Sequence, residues 1–354
     1  MQKMTSLERT IKFIEGEAVD KVPFHPLVMQ FAAAYAGIPY REYCLDYSKK
    51  CDANLKTAED FGIDWMHVGG HPYTEAEDYG LVVEYPENSL PLDKGPLING
   101  EADFGKVRLL EIENCRGMMG RVEGVALCAE RAGDYMAICG WAEGPMAEYA
   151  DLRGLSGACM DLIDYGPQVT EMMAILVENT KNWITLQVQA GAQLFGIGDA
   201  ACSQIGPRMY KKYVFDHHRD LVAHIHSLGA YSDFHICGNT TPILPMVIET
   251  GVNMIDVDYL VRDVTPFIDM LGPNQVIRGM ADPLEDVQNG TPETIEQVVI
   301  ETAKASRGKC MVAGGCEIPI DTPHENLKAM SQAAQTVTSA EFGVHTVTNE
   351  GRTT

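Results

Sequence analysis

Short apolar runs of the kind that form buried strands recur along the chain, and segments with helical periodicity separate most of them. We predict strands over residues 22–28, 63–68, 135–141, 193–199, 231–237, 253–257, 275–279 and 309–314. Helical periodicity is clearest over residues 151–189, 208–228, 291–306 and 323–340. Because strands that alternate with helices form parallel sheets, this order predicts an α/β fold, the (β/α)8 TIM barrel.

Residues 80–125 interrupt the alternation between the second and third predicted strands. The segment is rich in the turn residues Gly, Pro, Asn and Asp, and its apolar positions alternate over 81–85 and 106–112. This pattern predicts a β-rich antiparallel insertion. Since no Ser/Gly-rich or Pro-rich linker divides the sequence, we expect residues 1–354 to form one barrel domain that carries this insertion.

The charge balance narrows the classes of partner. Lys and Arg number 27 and Asp and Glu number 50, which gives a formal net charge of −23 at pH 7. Such a field repels phosphate backbones and anionic membrane surfaces, so we expect neither a nucleic-acid nor a membrane partner.

No apolar run approaches the ~18 residues that span a bilayer, and the first residues lack the apolar core of a signal peptide. We therefore expect a cytoplasmic protein.

Ten cysteines are scattered singly through apolar and mixed segments. A secreted disulfide framework is typically shorter and denser in cysteine, so this pattern does not indicate one. Most of these cysteines are expected to be small buried hydrophobic residues in a reducing compartment.

Two cysteines and a histidine stand where a barrel places its active site. His235 and Cys237 lie two residues apart at the end of the fifth predicted strand, so their side chains face the same way. Cys316 follows the last predicted strand after two glycines. A His-x-Cys spacing alone often arises by chance, but strand ends of a barrel meet at one mouth. One His and two Cys with an open fourth position are typical of catalytic zinc, so we predict a zinc site at these three residues.

Carboxylates follow other predicted strands. Glu143 comes after the third strand and Asp199 after the fourth, where they could complete a metal shell, accept a proton or orient a substrate. The alternative role for each is a helix N-cap or a loop ion pair, and the sequence leaves both roles open. Asp256, Asp258 and Asp282 occupy similar positions with weaker support.

With these residues identified, the sequence resembles the uroporphyrinogen decarboxylase superfamily, and more closely its corrinoid-dependent zinc methyltransferase branch. Residues 6–24 resemble the family opening RER…GE-x-x-D-x-x-P, and residues 315–327 resemble its C-terminal signature. The resemblance runs nearly end to end. One departure matters: decarboxylases carry paired arginines in the loop that follows Pro26, whereas residues 27–34 here read LVMQFAAA. This loss argues against porphyrinogen decarboxylation.

The resemblance implies a zinc ion at His235, Cys237 and Cys316 and a corrinoid (cobalamin) carried by a partner protein. Two directions of methyl transfer follow. A small methylated donor, such as a methoxylated aromatic, could give its methyl group to cobalt, with Glu143 managing the leaving oxygen. Alternatively, a methylcorrinoid could give its methyl group to a small thiol. The segment from Trp141 to Pro145 departs from the form found in coenzyme M enzymes, so we favour demethylation.

Further alternatives are decarboxylase-type activity and a non-catalytic barrel that binds a corrinoid or tetrapyrrole. The fourth zinc ligand stays open among water, Glu143, Asp199 and the substrate, and the resemblance leaves both monomer and homodimer open. Donor selectivity is expected in loop side chains at the barrel mouth, namely Phe24, Met29, Phe31, His67, Tyr73 and Trp141.

Overall fold

The structure is a computed structural model that describes residues 4–345. The strands in this range are β1 (Trp65–His67), β2 (Val83–Glu84), β3 (Leu92–Asp93), β4 (Ala137–Glu143), β5 (Leu194–Gly198), β6 (Tyr231–Ile236), β7 (Met254–Val257), β8 (Val276–Ala281) and β9 (Cys310–Gly314). Seven of them form one parallel sheet in the order β1-β4-β5-β6-β7-β8-β9, and β2 pairs with β3 in a separate antiparallel hairpin. The predicted parallel α/β architecture is confirmed.

The segment predicted as the first strand is not a regular strand. Phe24 makes a single parallel bridge to Val312 of β9, and its carbonyl accepts a hydrogen bond from the Asp64 N–H just before β1. The segment therefore contacts both edge strands of the sheet. Pro23 and Pro26 have no N–H to donate, which prevents a continuous ladder of hydrogen bonds here.

Helices precede, connect and follow the strands of the parallel sheet. They are α1 (Ser6–Ile14), α2 (Met29–Ala36), α3 (Tyr40–Leu45), α4 (Tyr47–Phe61), α5 (Thr74–Tyr79), α6 (Arg116–Ala132), α7 (Pro145–Arg153), α8 (Leu155–Asp164), α9 (Gly166–Gln189), α10 (Cys202–Tyr213), α11 (Phe215–Ser227), α12 (Leu244–Glu249), α13 (Thr265–Ile268), α14 (Pro292–Ala305) and α15 (His324–Thr336). The pattern predicted as one helix over 151–189 is divided among α7, α8 and α9. Gly154, with φ +79°, ends α7, and this backbone conformation favours glycine.

The predicted β-rich insertion at residues 80–125 is mostly not β-structure. Its only strands are β2 and β3, two residues each, and α6 begins at Arg116. Over 106–112 the alternation does not produce a strand. Instead, the Asn179 side chain accepts a hydrogen bond from the Leu110 N–H and donates one to the Arg108 carbonyl. A single side chain thus satisfies backbone groups that a neighbouring strand would otherwise bind.

Between residues 4 and 345, no helix combines the length and apolar character needed to cross a membrane. The helices instead bury apolar side chains against the sheet. Trp183 of α9 is fully buried, and its indole N–H donates to the Met118 carbonyl at 2.8 Å. This hydrogen bond ties α9 to α6 beneath the strands.

Two glycines of β5 leave room for a large side chain of the neighbouring strand. A Cβ at Gly196 would overlap the ring of Trp141 in β4, and one at Gly198 would lie 2.7 Å from the same ring. Because glycine has no Cβ, the indole lies against β5 at these positions. The two glycines therefore fix where Trp141 sits at the end of the sheet.

We predict that Gly196→Ala destabilises the fold by about 1–3 kcal/mol, because the added methyl group overpacks the Trp141 ring. Urea unfolding followed by tryptophan fluorescence measures this loss. Gly105→Ala is the matched control, since no heavy atom lies within 4 Å of a Cβ at that position. Equal unfolding midpoints for the two variants would show that Gly196 is not required by packing.

Candidate metal centre and its cavity

Three sequence-predicted ligands converge at the carboxyl ends of β6 and β9. His235 lies in β6, Cys237 follows that strand directly, and Cys316 lies just beyond β9. The backbone at Gly315 runs so close to the loop that follows β7 that a Cβ at this position would lie 2.5 Å from the Tyr259 backbone nitrogen. Glycine at position 315 therefore allows the approach that brings Cys316 beside Cys237.

Two of the three distances within this triad suit a tetrahedral metal ion. The sulfurs of Cys237 and Cys316 are 3.7 Å apart, and His235 Nε2 lies 2.8 Å from Cys237 Sγ and 3.9 Å from Cys316 Sγ. With zinc–ligand bonds of ordinary length, a tetrahedral site needs sulfurs about 3.8 Å apart and nitrogen about 3.6 Å from sulfur. The sulfur–sulfur distance and the longer nitrogen–sulfur distance match these values, whereas His235 Nε2 and Cys237 Sγ lie at hydrogen-bond distance and would have to move apart for a zinc ion to bind.

A buried carboxylate orients the histidine. His235 Nδ1 lies 2.6 Å from Asp256 Oδ2, and the two residues are register partners on β6 and β7. With Nδ1 engaged, Nε2 is the ring nitrogen that faces the cysteines. Carboxylate–histidine pairs of this kind fix the tautomer of metal-binding histidines in proteins.

Arg278 of β8 holds this carboxylate in the interior of the sheet. Its Nη2 lies 2.8 Å from both Asp256 Oδ2 and Asp233 Oδ2, and all three side chains are fully buried. Its Nη1 donates to the His25 carbonyl at 3.0 Å, and the guanidinium lies over the Trp65 ring. Burial raises the pKa of Asp233 to about 6, although Arg278 opposes the shift. The guanidinium thus links β6, β7, β8 and the 22–28 segment.

The two thiols are electrostatically unequal. A hydrogen bond from Cys237 lowers the pKa of Cys316 to about 5, and His235 contributes to the shift. The same pairing raises the pKa of Cys237. Since the thiolate is the form that binds metals, Cys316 is ready to act as a ligand near neutral pH.

A cavity of about 550 Å³ reaches the triad at Cys237 and Gly238. Tyr73, Glu143 and Asp151 lie on its wall. A small molecule that enters this cavity can therefore reach the candidate metal ligands.

Glu143 lies at the end of β4, and one of its carboxylate oxygens accepts a hydrogen bond from the Trp141 side chain. The Trp141 indole N–H donates to Glu143 Oε1 at 3.0 Å, and the Glu143 backbone N–H donates to Glu75 Oε1 at 2.7 Å. Burial raises the pKa of Glu143 well above its usual range, and the charges of Glu75 and Asp151 add to the shift. Glu143 borders the cavity and so stays a candidate for proton transfer.

Asp199 instead takes the capping role that the sequence left open. Its carboxylate accepts hydrogen bonds from the N–H groups of Met146 and Ala147 in the first turn of α7, and it pairs with His218 Nε2 at 2.8 Å. Asp199, Cys202 and His218 are close enough together to form a second metal-binding group. However, His218 Nδ1 is already engaged by a tyrosine hydroxyl, so both ring nitrogens have protein partners. Asp199 therefore positions α7 and does not line the cavity.

The remaining acids after strand ends stabilise loops. Asp258 accepts hydrogen bonds from the N–H groups of Gly238 and Leu260, and it thereby holds the turn that follows Cys237. Asp282 caps the π-helical turn at Pro283–Gln288.

Of the six side chains predicted to contact the substrate, one lines the cavity and two lie beside the triad. Tyr73 lines the cavity. The ring of Trp141 lies 4.6 Å from that of His67 and 6.4 Å from that of His235. His67 is buried with neither ring nitrogen hydrogen-bonded, and burial lowers its pKa well below the usual range. His67 and Trp141 therefore form an aromatic wall beside the triad.

The other three predicted contacts lie elsewhere. Phe31 packs against Phe61 and His324, and Phe24 is fully buried next to β9. Met29 begins α2 and packs on a separate small cluster. Phe24 and Phe31 are buried and Met29 is partly buried against other parts of the fold, so these three side chains do not border the cavity formed by residues 4–345.

Sequence reasoning missed several residues that shape the site. Asp233 shares the face of His235 at a spacing of two, and Arg278 is a lone charge in an apolar strand, so both carried a signal. Glu75 and Asp151 lie on helices without a recognisable motif. Their placement depends on tertiary packing alone.

Comparisons with known proteins agree with this architecture. Residues 5–337 match the family model described as uroporphyrinogen decarboxylase (URO-D). The chain is 28% identical to methylcobamide:CoM methyltransferase MtbA of Methanosarcina acetivorans, over 95% of this chain and 99% of that protein. It is 29% identical to MtbA of Methanosarcina mazei over the same shares. It is also 23% identical to a uroporphyrinogen decarboxylase of Synechococcus, over 90% of this chain and 94% of that protein.

A solved methyltransferase from Methanosarcina mazei superposes with a TM-score of 0.84. The two chains are 22% identical, and the match covers 95% of this chain and 100% of the other, so it supports the fold. The family model spans almost all of the described sequence, and the chain therefore belongs to the uroporphyrinogen decarboxylase family.

Proposed function

We propose that this protein is a zinc-dependent methyltransferase that moves a methyl group from a methylated corrinoid, carried by a partner protein, to a small thiol. The observation that carries the proposal is the triad of His235, Cys237 and Cys316 at the end of an open cavity. The similarity to two methylcobamide:CoM methyltransferases along 95% of the chain supports it.

This direction differs from the demethylation that the sequence favoured. That preference came from the unusual segment around Trp141 and Glu143. In the structure these side chains form the wall of the cavity and the face beside the triad, so their identity bears on which substrate is bound. The similarity to the methylcobamide:CoM methyltransferases favours the thiol alternative, and no finding supports a methoxylated aromatic donor specifically.

Zinc bound at the triad would lower the pKa of a coordinated thiol and so make it a thiolate at neutral pH. The chain's own residues prepare the site for this. Asp256 holds His235 with Nε2 toward the cysteines, and Cys316 favours its thiolate form. Trp141 lies beside His235, and its ring packs against the buried His67.

The transfer itself is a displacement at carbon. The substrate sulfur forms a bond to the methyl carbon, the cobalt–carbon bond breaks, and both of its electrons stay on cobalt. The products are a methyl thioether and the cob(I) corrinoid, and the thiol proton passes to solvent. The corrinoid must approach the carboxyl ends of the strands, since the triad lies there.

We predict about one zinc ion per chain, bound at least tenfold more weakly in Cys316→Ala because one of three protein ligands is lost. Chelator competition and elemental analysis measure this affinity. Cys310→Ala is the matched control, since Cys310 lies in β9 but outside the triad. Equal zinc affinity in the two variants would exclude the triad as the binding site.

We predict that the zinc-loaded protein demethylates free methylcobalamin when 2-mercaptoethanol is added, and that Cys316→Ala slows this reaction on the order of 100-fold. The absorbance change of the corrinoid follows the reaction. A second assay tests demethylation: the protein is given cob(I)alamin and a panel of methoxylated aromatics, and no methylcobalamin should form. Formation of methylcobalamin in this assay, without methylation of the thiol in the first, would overturn the proposed direction.

A further inference from the structure

The cavity beside the triad has a one-sided charge distribution. Its wall includes the carboxylates of Asp93, Glu143 and Asp151, and in the described part of the chain no Lys, Arg or His lines it. The rest of the wall consists of apolar, small and neutral polar residues. A ligand in this cavity therefore meets acidic side chains and no basic one.

Among residues 4–345, several carboxylate oxygens on and behind this wall lack hydrogen-bond partners. Asp151 Oδ2 is buried without a hydrogen bond. Glu148, on the same helix, is 3% exposed, and neither of its oxygens has a hydrogen-bond partner. Glu75 Oε2 is likewise buried and unpartnered. A buried polar group without a partner costs free energy, so Asp151, which lines the cavity, would gain from a ligand that donates hydrogen bonds. Glu75 and Glu148 lie behind the wall and add to its acidity.

The mutual repulsion of these acids supports the same conclusion. Burial raises the pKa of Asp151 well above its usual range, and Glu75 and Asp93 add to the shift. Arg121 is the cation that opposes the raised pKa values of Glu75, Glu143 and Glu148. It is fully buried and donates to the Trp141 carbonyl and to Thr74. Arg121 does not border the cavity and so cannot bind an anion there.

We propose that the cavity selects a small thiol whose far end is an ammonium group and disfavours a thiol that ends in a sulfonate or carboxylate. This inference rests on the proposed function for the role of the thiol. An anion would be desolvated beside three carboxylates without a cation to pair with. An ammonium would instead donate hydrogen bonds to Asp151 and the acids beside it.

The test compares three thiols with the same two-carbon spacer, namely cysteamine, 2-mercaptoethanol and 2-mercaptoethanesulfonate. Each is supplied to the zinc-loaded full-length protein with free methylcobalamin at pH 7. We expect kcat/KM to fall in that order, with cysteamine at least about tenfold above the sulfonate and most of the difference in KM. A sulfonate preferred over cysteamine would overturn the proposal.

Charge-neutralising variants separate the cavity from the intrinsic reactivity of the thiols. Asp151→Asn and, independently, Glu143→Gln should each reduce the cysteamine-to-sulfonate ratio by about tenfold, since each removes one acid whose carboxylate form would pair with a bound ammonium. Asp164→Asn is the matched control, because Asp164 is exposed on α8 and does not line the cavity. An unchanged ratio in both wall variants would contradict the proposal.

Equilibrium binding of unreactive probes does not depend on turnover. Propylammonium should bind the protein at least about tenfold more tightly than propanesulfonate, as measured by calorimetry, and Asp151→Asn should reduce the difference. If no thiol is methylated but propylammonium is preferred, the proposed function fails and the charge selectivity stands. If propanesulfonate binds as well as propylammonium, the charge selectivity fails even where thiols are methylated.

Discussion

The buried guanidinium of Arg278 connects the interior of the sheet to the candidate metal centre. It pairs with Asp233 and Asp256 on two neighbouring strands, and Asp256 in turn fixes the ring of His235. Removing one partner of a fully buried ion pair is typically costly, since the remaining charge is left uncompensated. The orientation of His235, the candidate metal ligand, therefore depends on a fully buried cation, and the network stabilises fold and site together.

The two sides of the site differ in chemistry. On one side, the thiols and imidazole form a compact triad whose donor atoms suit zinc, and Trp141 and His67 lie beside it. On the other side, the cavity that reaches Cys237 is lined by carboxylates. Under the proposed function, the triad activates the reacting sulfur and the acidic wall selects the remainder of the substrate.

Parallel strands explain why the triad could be predicted from sequence. His235 and Cys237 lie two residues apart at the end of β6, so the sequence predicts that they face the same way. The ends of parallel strands converge, and this convergence places Cys316 beside them.

Long-range packing explains most of the errors. Phe24 is buried between the edge strands of the sheet, and Phe31 is buried against Phe61 and His324. The backbone groups of Arg108 and Leu110 bind the Asn179 side chain rather than a neighbouring strand. The role of Arg278 depends on residues from three strands, which no local pattern contains.

X-ray absorption at the zinc edge, with and without 2-mercaptoethanol, tests the central claim most directly. The account predicts a zinc ion with one nitrogen and two sulfur ligands from the chain, the sulfurs at about 2.3 Å, and a third sulfur ligand when the thiol is added. A zinc environment without sulfur, or one with two sulfurs that stays unchanged in the presence of saturating thiol, would contradict it.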